Sequence, residues 1–538
     1  MKSVIPRIDK SLLVLIAAFL AQWSLLFSIQ GPTWDAVSYY VYARSAVFDG
    51  DLKLENDYVL SYATATPDFS AKEFHKELTT TGRVAKPFAI GTSLLWLPWL
   101  YTLRGIVADG PALLARGYVD VSGYEWPFIA NVATLSALSA FLAFWLSFKI
   151  VRTELDGLGA VAATLTMMFA TPLLYYQFRE PLYSHTSSAL TTTLCVYAWW
   201  RMGKPVGTAI QAVGLGALIG LATLTRWQNV LYLALPFVSA VYWWARLPGE
   251  CKQQKWKPAI RYLGLVSSTV VVVFSLQMAV WRLFYGSWLT IPQGDSFLEW
   301  RAPFLLPLLF STFRGLLPWM PVIFPAFVGL IALSRQGQRR LALPLMAVLL
   351  LEIYINASTR DWFGGGGFGP RRFTSELTLL IVGYAGFLQL FSPQKIKIVA
   401  SSIIGLLLAL HHWLLLRYAL PEKIGGQVVS MLPTFEWRDV TLVTFIGELA
   451  AHVPGIIRRP LEFLLLPGSP LDLLLRQQSW PGHHIMALLT TTLFIVIVLT
   501  ILGVVGRRLE DSAGLQHLLV TVAFALIGAA TLWILIWA

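Results

Sequence analysis

Charge is scarce in this chain. Only 13% of its 538 residues are Asp, Glu, Lys or Arg, against roughly 25% in soluble domains, which excludes a water-soluble globular protein. Cysteine is scarcer still. Cys195 lies in an apolar run and Cys251 in a basic stretch, and the two offer neither a disulfide framework nor metal-site spacing. No G-x-x-x-x-G-K-[ST] loop is present to cradle nucleotide phosphates, which argues against an ATP-driven pump. The apolar segments show no internal repeat, inverted or parallel, of the kind many secondary transporters carry. Acidic residues are outnumbered, 29 against 41 Lys and Arg, for a net charge of +12. The basic residues fall in short clusters between apolar runs rather than in one basic domain, so nucleic acid is excluded as a partner. Anionic membrane lipid is the partner such clusters meet.

What the chain has in abundance is apolar surface. Hydrophobic residues make up 56% and the mean hydropathy is +0.63. Runs of about 20 apolar residues recur, the length of a membrane-crossing helix. The 22 Trp suit long interfacial margins. The fold class expected is an all-α polytopic membrane protein. Lys2, Arg7 and Lys10 precede an apolar run from 11 to 29 without a convincing small-residue cleavage site, which reads as a retained first helix. Further spans are expected near 127–148, 157–175, 186–200, 207–224, 228–245, 262–284, 316–334, 341–357, 374–391, 396–416, 485–505 and 515–537. The segment 87–103 is apolar but holds Pro87 and Pro98.

Parity decides how that segment is read. If it does not cross, the basic clusters at Lys149/Arg152, Arg201/Lys204, Arg246–Arg261, Arg335–Arg340, Lys395/Lys397 and Arg507/Arg508 all face the cytoplasm, as positive charge in short loops does. If it crosses, all of them flip. The segment therefore lies along the outer leaflet or dips into it, leaving about thirteen spans with the N-terminus inside. The outer face then receives 30–126, 176–185, 285–315, 358–373 and 417–484. The unusual polar residues are there, while the cytoplasmic connections are short and basic. The compact loops suggest a plasma (inner) membrane protein. The chain divides into a module over 1–392, with the large first outer loop 30–126, and a C-terminal membrane region over 393–538 carrying outer loop 417–484.

Asp35, in Gly31-Pro32-Thr33-Trp34-Asp35-Ala36-Val37-Ser38-Tyr39-Tyr40, follows the first helix in a water-facing loop ringed by aromatics. It is either a solvated acid in an interfacial belt or a general base facing a substrate carried in the lipid. Carboxylates with Lys and Arg on one outer face suit one task well. An acid takes the proton of an attacking hydroxyl or amine, while basic groups hold a phosphate leaving group. The glycine run Gly364-Gly365-Gly366-Gly367-Phe368-Gly369-Pro370 reads as a flexible loop, or as a close backbone approach to an anion beside Arg371-Arg372.

These residues resemble the GT-C superfamily of polyprenyl-phosphate-sugar-dependent glycosyltransferases, in the branch of protein O-mannosyltransferases and the lipid A aminoarabinose transferase. The branch carries an Asp, often Asp-Glu, after the first helix, a Tyr four residues on, and a later Gly-Asp. Here these are Asp35, Tyr39 and Gly50-Asp51, with Ala36 in place of the second acid. Lys86-Pro87 and the segment to Trp99 resemble a Lys-Pro followed by an outer-face apolar segment. Glu180-Pro181, beside Arg179 and His185, resembles an acidic-Pro pair. Arg301-Ala302-Pro303-Phe304 resembles an Arg-Ala-Pro-Phe element, and Arg371-Arg372 stand where a basic motif opens the tenth span.

The resemblance covers roughly 10–390 and implies a GT-C fold with outer-face juxtamembrane helices, a polyprenyl-phosphate sugar donor, and a glycan, lipid or protein acceptor. It implies Asp35 and Glu180 as catalytic acids, with Tyr39, Lys86, His185, Arg301, Arg371 and Arg372 binding substrate. A divalent cation between Asp35 and Glu180 is compatible with the pair. Each residue has a plainer alternative. Lys86 can snorkel at the membrane margin, Glu180 can cap or pair with Arg179, and His185 can be a hydrogen-bonded helix-start residue. Asp51 reads as a turn residue, and His411-His412 and His483-His484 as structural. The rival functional class is a transporter or flippase of a lipid-linked substrate, for which Arg226, Arg282, Arg314 and Glu352 are the residues to check. A catalytically dead scaffold, which Ala36 keeps open, is the third.

Overall fold

Apolar runs bounded by basic clusters become helices, because a backbone in lipid must satisfy its own hydrogen bonds. A computed structural model describes residues 10–29, 31–32, 35–65, 78–84, 88–109, 121–311, 314–419, 422–424 and 427–429. Its helices in chain order open with α1 Lys10–Leu26, α2 Asp35–Arg44, α3 Glu55–Ala65 and α4 Gly91–Arg104. Next come α5 Trp126–Glu154, α6 Gly157–Ala170, α7 Leu173–Phe178, α8 His185–Met202, α9 Ala209–Thr225, α10 Ala234–Ala245 and α11 Gly249–Tyr285. The described helices end with α12 Leu305–Phe310, α13 Leu316–Trp319, α14 Ile323–Arg335, α15 Arg339–Ala357, α16 Leu377–Leu388 and α17 Gln394–Ala419.

Among the described residues, α5, α11, α15 and the stretch Gln394–Trp413 of α17 are long and apolar enough to cross a membrane. Helices α1, α6, α9 and α14 are shorter apolar helices. The expected spans 485–505 and 515–537 lie outside the described residues, as do Lys86, His483, His484 and most of 417–484. The expected all-helical architecture has one exception, an antiparallel pair of short strands, β1 Glu422–Ile424 and β2 Gln427–Val429.

Several helix ends follow from sequence. Pro127 opens α5 in its first turn, where a missing N–H costs nothing. Asp156 caps α6 by accepting from the Gly159 amide at 2.6 Å. Thr208 and Gln211 form a reciprocal capping box on α9. Two expected spans are broken: 157–175 at Thr171-Pro172, and 316–334 where Pro321 separates α13 from α14.

Without a hydrophobic drive between helices in lipid, small residues let backbones approach. Gly216 and Gly220 of α9 face α11, where an added Cβ would lie 2.5 Å from the Val266 carbonyl oxygen and 2.6 Å from Val273 Cβ. A Cβ on Gly329 of α14 would overlap the Gly383 carbonyl of α16. Buried hydroxyls add cross-links. Thr378 of α16 meets Ser147 of α5 and Thr193 of α8, each at 2.8 Å. Thr192 and Tyr232 both donate to the Ser375 carbonyl at 2.7 Å, and Ser188 meets Ser375 Oγ at 2.7 Å. These bonds pin the 3-10 turn Arg371–Glu376 onto the bundle. At the other end Lys397 pairs with Asp156 at 2.6 Å. His411 bonds the Pro318 carbonyl at 2.7 Å, in line with its structural reading.

Candidate active site

Asp35 is not in a loop, as expected from sequence, but is the first residue of α2. An acid there meets the partial positive charge of the helix N-terminus. Helix α2 is buried from Ala36 to Arg44 and held on several sides. Tyr40 donates to the Gly123 carbonyl and Ser93 to the Tyr39 carbonyl, each at 2.5 Å. Arg44 pairs with Asp49 and, at 3.0 Å, with buried Asp57. Burial pushes the Asp57 carboxyl up to about 6, against the pull of Arg44. Asp51 accepts from the Lys53 amide at 2.9 Å and Ser45 Oγ at 3.1 Å, the turn role expected of it.

The glycine run brings Arg371 to Asp35. Gly364, Gly365 and Gly369 have φ of 77°, 66° and 60°, a region open to glycine at no steric cost. The loop wraps the Arg371 side chain. Its Nε donates to the Gly364 carbonyl at 2.6 Å, and its Nη1 to Asp35 Oδ2 at 2.5 Å. At Gly367 a Cβ would stand 2.6 Å from both Arg371 Cδ and the Tyr176 hydroxyl, so any larger residue must push these side chains aside. Tyr176 donates to the Phe368 carbonyl at 3.1 Å, and the Arg371 guanidinium lies 5.9 Å from the Tyr183 ring centre.

Behind the ion pair runs a polar chain. Ser184 donates to the Tyr39 hydroxyl at 2.9 Å. Arg226 Nη1 donates to His185 Nδ1 at 2.8 Å, and Thr374 Oγ1 lies 3.0 Å from the same nitrogen. Accepting from Arg226 leaves Nδ1 unprotonated, so a neutral His185 carries its proton on Nε2. Thr374 donates to the Arg371 carbonyl at 2.8 Å. The His185 ring sits 3.9 Å from that of Tyr176.

Burial pushes the Glu180 carboxyl up to about 7; Arg179 pulls the other way, and nearby Asp35 adds to the rise. At neutral pH such a group both holds and releases a proton. Arg371 feels the like charges of Arg226 and Arg314. Arginines gathered this way favour an anion among them.

The structure thus brings Asp35, Tyr39, Glu180, His185 and Arg371 to one end of the bundle. Arg372 points elsewhere, to Asp361 at 2.6 Å and Thr359 at 2.5 Å. Arg301 is exposed on a loop held to 358–361 through Glu299–Arg360 at 2.8 Å and the Leu298–Thr359 bridge, and no polar contact joins it to Asp35 among the described residues. Sequence reasoning did not assign Arg226, Tyr176, Tyr183 or Ser184. For Arg226 a signal existed: it is a basic residue in a tight outer connection, where topology does not call for positive charge. Among the described residues no three His, Cys, Asp or Glu cluster to hold a metal ion. Arg371 already places a cation against Asp35, so Asp35 and Glu180 do not fit a divalent ion in this arrangement.

No family model matches the chain, and no curated protein matches its sequence. Solved structures do. ArnT from Cupriavidus metallidurans bound to undecaprenyl phosphate matches over 97% of this chain and 75% of that one, at 12% identity and a TM-score of 0.46. The archaeal oligosaccharyltransferase AglB from Archaeoglobus fulgidus, with an inhibitory peptide and a dolichol-phosphate, matches over 86% of this chain and 60% of that one, at 12% identity and a TM-score of 0.44. Both are GT-C proteins, the superfamily that the sequence motifs resemble. At this identity and overlap neither likeness carries a residue or a substrate over to this chain.

Proposed function

We propose that this chain is an integral-membrane glycosyltransferase of the GT-C type, moving one sugar from a polyprenyl monophosphate to an acceptor on the extracytoplasmic side. One observation carries the reading. A carboxylate and a guanidinium from opposite ends of the module, Asp35 and Arg371, meet at 2.5 Å among further arginines. That pairing supplies what a single displacement at an anomeric carbon needs. The acceptor oxygen or nitrogen forms a bond to the anomeric carbon as its proton passes to Asp35. The bond from that carbon to the phosphate oxygen breaks, and its electron pair leaves with the polyprenyl phosphate. Arg371 and Arg226 offset the charge that phosphate gains, and Lys86, which lies outside the described residues, is assigned to the same phosphate by its Lys-Pro motif alone. Glu180 assists Asp35 in drawing the proton, and Tyr39 and His185 line the approach. One base serving one nucleophile gives inversion.

A transporter would place its charges near the middle of spans. Three of the four residues to check sit at helix ends: Arg226 follows α9, Arg282 lies in the last turn of α11 and Arg314 precedes α13, while Glu352 is buried inside α15, five residues from its end.

The test is a mass-spectrometric comparison of envelope glycans and glycolipids from cells with the wild-type protein, without it, or with Asp35→Asn at matched expression. A sugar missing from both the null and Asp35→Asn cells supports the reading and names sugar and acceptor. A full wild-type pattern with Asp35→Asn removes Asp35 as the base and favours the transporter.

A further inference from the structure

We propose that Asp35 and the donor's phosphate compete for Arg371, so that the base is released only as the phosphate arrives. The proposal rests on the reading that the arginine cluster receives a phosphate, and adds an order of events to it.

In this structure Arg371 is already engaged by an anion. Nη1 binds Asp35 Oδ2 at 2.5 Å, Nε binds the Gly364 carbonyl at 2.6 Å, and Tyr183 lies beside the guanidinium. A carboxylate bonded to a guanidinium has an oxygen occupied. Oδ2 of Asp35 is so placed here, and that oxygen does not meet an acceptor's proton while Arg371 holds it. A phosphate oxygen is a ligand that a guanidinium fork matches as well as it matches carboxylate.

The surroundings favour exchange over simple addition. Arg226 and Arg314 repel Arg371 and so welcome a second anion, whereas Asp35 repels it. Asp35 and phosphate therefore oppose each other at one cation. The pair is reachable, with 15% of the Arg371 side chain and 28% of the Asp35 side chain exposed. Nε can keep its bond to Gly364 while Nη1 changes partner, so the exchange needs a side-chain movement only. The functional consequence is that Asp35 becomes free to take the acceptor's proton when the donor is seated, and the donor binds first.

The experiment is equilibrium binding of farnesyl monophosphate to the full chain in lipid nanodiscs, as a double-mutant cycle. The proteins are wild type, Asp35→Asn, Arg371→Gln and the double variant, with Asp35→Ser and Arg371→Met repeating each arm in case one substitution folds poorly. Competition predicts that Asp35→Asn tightens binding roughly tenfold, within the coupling range of groups in contact, and that the gain disappears when Arg371 is Gln. Equal tightening in both backgrounds means through-space repulsion alone and overturns the proposal, as does no tightening. Failure of the wild type to bind farnesyl monophosphate is a different result: it removes the phosphate site of the functional reading itself, and the competition with it.

Discussion

Gly367→Ala adds one methyl group at a place where the structure leaves no room for it. The new Cβ would lie 2.6 Å from Arg371 Cδ, 2.6 Å from the Tyr176 hydroxyl and 3.0 Å from Arg371 Nε. Carbon atoms pack at about 3.5–4.0 Å, so Arg371 and Tyr176 must each retreat, Arg371 Cδ by about 1 Å. The bond from Arg371 to Asp35, at 2.5 Å, does not survive such a shift of its stem. With the guanidinium moved this far from where it must also hold the leaving phosphate, the rate falls about a hundredfold, or about 2.7 kcal/mol. The overpacking also costs stability, about 1–3 kcal/mol, so activity is compared well below both melting temperatures. Gly366→Ala is the matched control: its Cβ meets nothing within 4 Å, and neither glycine has a positive φ. The assay is turnover of a radiolabelled polyprenyl-phosphate sugar by purified protein, with melting temperature followed in parallel. Wild-type kinetics in Gly367→Ala, or equal loss in Gly366→Ala, refutes the claim that this loop sets Arg371 against Asp35.

Two further outcomes follow from the same geometry. Glu180, pushed up to about 7 by burial with Asp35 adding to it, is protonated below that pH and ionised above it; if its carboxylate assists, kcat/KM rises on passing up through about pH 7, and Glu180→Gln flattens the rise, whereas an unchanged limb in the variant assigns it to another group. Gly329→Ala sets a methyl group into the Gly383 carbonyl, and overpacking of this kind costs about 1–3 kcal/mol; the melting temperature in detergent should fall, while Gly264→Ala, with nothing within 4 Å, should leave it unchanged or raised.

Much of this site was legible in the sequence because topology sorts charge. Asp35 and Arg371 are 336 residues apart, yet the distribution of Lys and Arg between loops placed both at the same membrane face before any contact was known. The glycine run was legible only in part. Its position beside the arginines was plain, whereas its role as a sleeve around the Arg371 side chain depends on three glycines with positive φ and on Tyr176, which arrives from another helix. Arg226 stood in the short connection between the expected spans 207–224 and 228–245, but nothing in the sequence showed its partner: the chain leaves α9 at Arg226 with extended backbone, and the side chain turns to His185.

The division of labour between Arg371 and Arg372 was not legible at all, and the reason is geometric. In a 3-10 turn successive side chains point about 120° apart, so neighbours in sequence cannot serve one ligand from the same direction. Arg371 meets Asp35. Arg372, as little exposed as its neighbour, turns another way and ties the turn to Asp361 and Thr359, while its carbonyl accepts from Gln228, which also reaches Glu352. The turn is therefore fastened from above by Arg372 and from below by Ser188, Thr192 and Tyr232 through Ser375. A backbone anchored on both sides leaves the Arg371 side chain as the part able to move, which is what an exchange between a carboxylate and a phosphate requires.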